Sequence, residues 1–191
     1  MRTWKPSMRR CLGGVMRRLL PLWLLLAGCG GGIHTGGFKP DAMEIAASCE
    51  SDFGWTLQLE PGVSPGDPQA ECGFVVMLLS GYQAAYEQAW GSPGTEGWLV
   101  RIRREPLGDA PAGQFVAGET WPAEHMIELF QGSMQVFAHE LHHVALGPSS
   151  TDHHGWSCPG GFGEWEHSQG LFPNADEYGY LPKCVPGEAA Q

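Results

Sequence analysis

The chain is short of positive charge. Six of its 11 basic residues precede residue 29, leaving five against 21 acidic ones, a net of −16 with histidine neutral. No basic footprint remains that could track a phosphate backbone, which excludes nucleic acid as a partner. The acidity instead favours solubility and mild repulsion from anionic surfaces. Long apolar runs are missing too. Leu19-Leu20-Pro21-Leu22-Trp23-Leu24-Leu25-Leu26 falls far short of the ~20 residues that a spanning helix needs. Cysteine is scarce, six in 191 residues, and none is spaced as C-x-x-C, so a cysteine-held zinc knuckle has no support. No methionine follows Met134.

The N-terminal stretch is a targeting segment by composition. Arg9, Arg10, Arg17 and Arg18 form a basic region, Leu19 to Leu26 an apolar one, and Ala27-Gly28 a small-residue cleavage site. Residues 1–28 are therefore read as a signal peptide outside the fold. Leu26-Ala27-Gly28-Cys29 resembles the lipobox of bacterial lipoproteins. That resemblance implies cleavage before Cys29, acylation of Cys29 (palmitate among the chains), and anchoring to a membrane of the cell envelope. Gly30, where an aspartate would favour inner-membrane retention, points to the outer membrane, facing the periplasm or the cell surface. Residues 29–40, Gly-rich and including His34, read as a flexible tether. Residues 41–191 are enough for one domain with a core of its own, expected as a monomer.

With Cys11 lost in the leader and Cys29 lipidated, Cys49, Cys72, Cys158 and Cys184 are left. An even set in an oxidising compartment implies two disulfides with three possible connectivities. Cys49–Cys72 and Cys158–Cys184 are favoured because each closes a modest local loop, the second bracing a Gly-rich tail.

Secondary structure follows from periodicity. Asp41 to Cys49 reads as a short helix and Glu60 to Pro68 as a loop. Phe74 to Trp90 reads as a long helix with Tyr82, Tyr86 and Trp90 on one stripe. Trp98 to Arg104 alternates as a half-exposed strand; Gln114 to Trp121 and His125 to Phe130 are two more. Gln131-Gly132-Ser133 makes a turn, with Ser133 as N-cap of the next helix.

That next helix carries the chemistry. His139-Glu140-Leu141-His142-His143 is an H-E-x-x-H pattern, in which two histidines one turn apart hold a zinc ion and the glutamate serves as general base. At 100° per residue His139 and His143 fall about 40° apart on one face. Met134, Phe137, Leu141, Val144 and Ala145 cluster opposite them, and Gly147-Pro148 stops the helix. His142 points some 60° off the metal face and is read as peripheral. His125 and His167 lack partner spacing and are read as ordinary histidines.

A catalytic zinc takes three protein ligands and a water. The chain from Gly147 to His153 spans up to ~20 Å, enough to fold back over the helix. His153 is thus the expected third ligand, with His154 close behind. The other of the pair, or Asp152, would orient a ligand imidazole. Tyr178 and Tyr180 are candidates to stabilise a developing oxyanion. Trp156 and Trp165 are expected to wall the cleft or cover the core.

Over residues 74–156 this order of elements resembles the zincin metallopeptidases, H-E-x-x-H being its one specific motif. The resemblance implies an α+β fold: a small twisted sheet with the active-site helix beneath it and a cleft along an edge strand, placed at Met126–Phe130. It departs from the metzincin branch, because Ser149 stands six residues after the second histidine and no Met-turn follows. In the gluzincin branch the third ligand is a later glutamate, for which Glu164 or Glu166 would serve. The resulting expectation is a lipid-anchored peptidase using one Zn2+, with peptide or protein as substrate. A non-catalytic metal-binding envelope lipoprotein is the alternative.

Overall fold

The computed structural model describes residues 27–28, 40–110, 114–147, 153, 155–171, 184–185 and 187. It is an α+β fold with an open five-stranded sheet. The strands are β1 (Ala47–Glu50), β2 (Thr56–Leu59), β3 (Leu99–Arg103), β4 (Gly118–Trp121) and β5 (Met126–Phe130), in the order β1-β2-β3-β5-β4. β2, β3 and β5 run parallel, while β1 and β4 are antiparallel to their neighbours at the two edges. The helices are α1 (Pro68–Trp90), α2 (Phe137–Leu146) and α3 (Phe162–Ser168). Asp109–Ala110 and Gln114–Val116 form a second, small sheet with Ala27–Gly28, which lies at the end of the expected leader and runs parallel to Phe115–Val116. Among the described residues no helix is long and apolar enough to cross a membrane.

Alternation along the strands sorts the sheet into two faces. Leu57, Leu59, Val100, Ile102, Ile127 and Leu129 are buried on one, against Val75, Leu79 and Tyr86 of α1 and Phe137 and Leu141 of α2. Arg101, Arg103, Glu119 and Glu128 take the positions between, on the other. α1 starts where its capping chemistry says it should: Asp67 accepts the Gln69 amide at 3.0 Å and Pro68 takes the first turn. Cys49 of β1 is bonded to Cys72 of α1, with Cα atoms 6.0 Å apart, so the helix is fastened across the sheet face. Cys158–Cys184 is the second bridge, its Cα atoms 4.8 Å apart.

Several local expectations are corrected. Asp41 to Cys49 is not a helix; residues 47–50 form β1, because four paired positions against β2 outweigh a helix too short to stand alone. α1 begins six residues earlier than Phe74, at Pro68. β2 was not anticipated. Gln114 to Trp121 is broken at Ala117, where the chain passes from the small sheet to the large one. Ser133 caps nothing: it sits at φ −142°, ψ 39° inside a 3-10 stretch, and α2 starts after Val136 with no side-chain cap. Ala145 is exposed rather than part of the buried back of α2. Finally, Met126–Phe130 lies inside the sheet, and the edge beside α2 is Gly118–Trp121.

Candidate metal centre

α2 places His139 and His143 on adjacent turns, and His153 comes to meet them from a position in no helix or strand. The Nε2 atoms of His139 and His153 are 3.0 Å apart, and those of His153 and His143 3.1 Å. All three residues are buried, at 2%, 1% and 7% exposure for His139, His143 and His153. Each offers one ring nitrogen, and the three atoms lie within 4.8 Å of one another. Tetrahedral coordination with metal–nitrogen bonds of about 2.0–2.1 Å puts ligand nitrogens about 3.3 Å apart. The trio is therefore at ligand-to-ligand spacing, and it could hold a metal ion.

The surroundings fix these rings. Glu166, on α3, sets its carboxylate oxygens 3.3 and 3.4 Å from His139 Nδ1. An Nδ1–H donated there leaves the Nε2 lone pair facing the other two imidazoles, the tautomer a metal ligand needs. The Trp156 ring is fully buried, with its centroid 4.8 Å from both His139 and His143 and 4.5 Å from His153. His153 itself has φ 53°, the left-handed region that side chains rarely occupy. Burial pushes the His139 imidazole down to about 3, so it stays neutral and able to donate its lone pair at physiological pH.

Glu140 is buried between α2 and the edge strand. The Thr120 hydroxyl donates to its Oε2 at 2.7 Å, while its Oε1 has no hydrogen-bond partner among the described residues. Burial pushes this carboxyl up to about 8; the Thr120 hydrogen bond opposes the shift, and the charges of Glu119 and Glu166 add to it. Burial likewise pushes Glu166 up to about 8. A positive charge arriving beside these groups would favour their ionised forms.

Of the other residues singled out by sequence, His142 is off the metal trio but is no surface group. Its Nδ1 pairs with the Tyr86 hydroxyl at 2.9 Å and its ring stacks on Phe162 at 4.0 Å, knitting α1, α2 and α3 together. Glu164 accepts the Gly160 amide at 2.6 Å and is exposed. Trp156 walls the imidazoles and Trp165 packs on the core. His125 and His167 are exposed, His125 stacking on Trp98. Cys29, Asp152, His154, Tyr178 and Tyr180 lie outside the described residues, as does His34. Sequence reasoning considered Glu166 only as a ligand and missed Gly118 and Thr120. Their facing toward α2 follows from the pairing of β4 with β5, which the sequence of the strand alone does not carry.

Compared with protein-family models, with curated proteins and with solved structures, the chain matches none.

Proposed function

We propose that this protein is a zinc-dependent hydrolase acting on peptide bonds, carried on a lipid anchor at Cys29 in the bacterial envelope. The observation that carries the reading is the meeting of His139, His143 and His153, with His153 3.0–3.1 Å from the other two, and the carboxylate of Glu140, next to His139, bonded through one oxygen among the described residues. A nitrogen-only set of three imidazoles suits zinc and, among the described residues, would leave a fourth position for water, as catalytic sites do. Bound there, zinc would lower the pKa of a water toward 7 and polarise a carbonyl. His139, His143 and His153 would hold the ion, Glu166 would orient His139, and Glu140 Oε1 would take the proton from the attacking water. The antiparallel strand β4, at the edge of the sheet order, also suits an extended peptide, which can add to a sheet by main-chain hydrogen bonds. The sheet order supports the likeness to zincins: a helix between parallel strands, an antiparallel edge, then a strand leading into the H-E-x-x-H helix.

A second reading, a non-catalytic envelope lipoprotein that captures metal or uses it to brace the fold, draws on one observation. The three histidines and Glu140 are all buried, Glu140 at 1% exposure. One comparison separates the two. The purified protein should bind about one zinc per chain and cleave members of a peptide library. Glu140→Gln should keep the metal and lose the cleavage. Equal cleavage by parent and variant would remove Glu140 as base, and metal binding with no cleavage in the parent would leave the second reading.

A further inference from the structure

We infer that the edge strand β4 sets the working position of Glu140: Thr120 tethers one carboxylate oxygen, and Gly118, by lacking a side chain, leaves room for the other. The inference rests on the reading of Glu140 as proton acceptor and assigns it a positioning residue. Gly118 and Thr120 are two apart on the strand, so both face α2, while Glu119 between them faces away. From there the Thr120 hydroxyl reaches Glu140 Oε2 at 2.7 Å and lies 3.3 Å from the Glu140 carbonyl. A Cβ built on Gly118 would sit 2.7 Å from Glu140 Oε1 and 2.8 Å from a Val136 methyl, closer than such atoms come. A side chain at position 118 would thus make Glu140 Oε1 or Val136 shift, so the glycine matters by contact rather than by backbone freedom. The two positions act on opposite oxygens of one carboxylate, which would otherwise turn about its last torsion.

The choice of threonine fits the task. A hydroxyl fixes direction without supplying a positive charge that would compete for the carboxylate's lone pairs. The three basic side chains among the described residues, Arg101, Arg103 and Arg104, belong to β3 and the turn after it. A carboxylate pinned through one oxygen presents the other at a defined place, and a misplacement of about 1 Å at such a group can cost about 100-fold in rate.

The test combines kinetics with a readout that needs no turnover. Thr120→Val should keep the zinc stoichiometry, lower kcat by about 10- to 100-fold and change KM by less than about 3-fold. Thr120→Ser, which keeps the hydroxyl, should restore most of kcat. Gly118→Ala should lower kcat at unchanged zinc content. In metal-free protein, Thr120→Val should lower the thermal midpoint by several degrees in the parent and by much less in a Glu140→Ala background, where no carboxylate is left unpaired. Equal thermal shifts in both backgrounds, parent-like kcat in Thr120→Val, or zinc lost together with activity would each overturn the assignment. A parent that binds zinc and cleaves nothing removes the hydrolase reading and the kinetic role with it; the thermal coupling still accepts or rejects the tether.

Discussion

Carboxylates lie against both faces of the β4–β5 hairpin, its own Glu119 and Glu128 on one side and Glu140 of α2 and Glu166 of α3 on the other, and the two faces treat them differently. On the side away from the helices, Glu128 lies 3.1 Å from Arg103 and 3.6 Å from Arg101, while Arg103 also reaches Glu60 at 3.5 Å. Arginines face Glu128 and Glu60 there, next to a cavity of about 350 Å³ that Glu119, Glu128 and Arg103 help to line. On the helix side, Glu140 and Glu166 are more deeply buried, yet the partners of their carboxylates are a hydroxyl and an imidazole. Three ring nitrogens, one each from His139, His143 and His153, gather nearby. Burying carboxylates without a compensating charge is costly. The first face meets its carboxylates with arginines; the second, among the described residues, gathers donors that could hold a metal ion.

Three measurements can break or sharpen that contrast. The largest effect is expected from His153→Ala, which takes one of the three imidazoles that could hold the ion. Zinc retained after dialysis should fall from about one ion per chain toward none, and retention near one would mean that the ion is held elsewhere. Glu166→Gln should act more weakly, keeping the site but lowering zinc affinity about 10- to 100-fold in a competition titration with a chelator. The smallest effect belongs to the opposite face. Burial, with the Glu128 charge second, pushes Glu119 up to about 7. The unfolded chain therefore ionises first as pH rises from about 4.5 to about 7, and the folded state loses stability over that window. Glu119→Gln should match the parent at pH 4 and exceed it at pH 8 by on the order of 1 kcal/mol, with solvent screening discounted, read as a rise in Tm. Its zinc content should be unchanged; a loss would show that the two faces are not independent.

What was legible in the sequence was what depends on short-range geometry. The pairing of His139 with His143 needs only the helical repeat, the two disulfides only the preference for local loops, and His153 only the reach of a few residues. Asp67-Pro68 was equally legible as a helix start and was passed over in favour of the apolar run at Phe74. The roles of Thr120 and Gly118 were hidden, because which face a strand residue takes depends on its register with β5, and that pairing is set outside the strand itself. The edge was misplaced for a related reason. β4 precedes β5 in the chain but folds outward past it, so chain order is not sheet order. Glu166 needed α3 to be docked before its carboxylate could be aimed at His139 Nδ1.

His153 differs from its two partners in how it is held. His139 and His143 keep their spacing as long as α2 stays wound. His153 sits at φ 53°, a conformation that costs on the order of 1 kcal/mol or more for a residue with a side chain. Five residues later Cys158 is tied to Cys184. An ion would pull this stretch inward and the bridge would keep it from swinging away, so loss of either loosens the same place. Metal bound at His153 and the Cys158–Cys184 bridge would therefore restrain neighbouring points of the chain, and a copy lacking either would open and be cut more readily there.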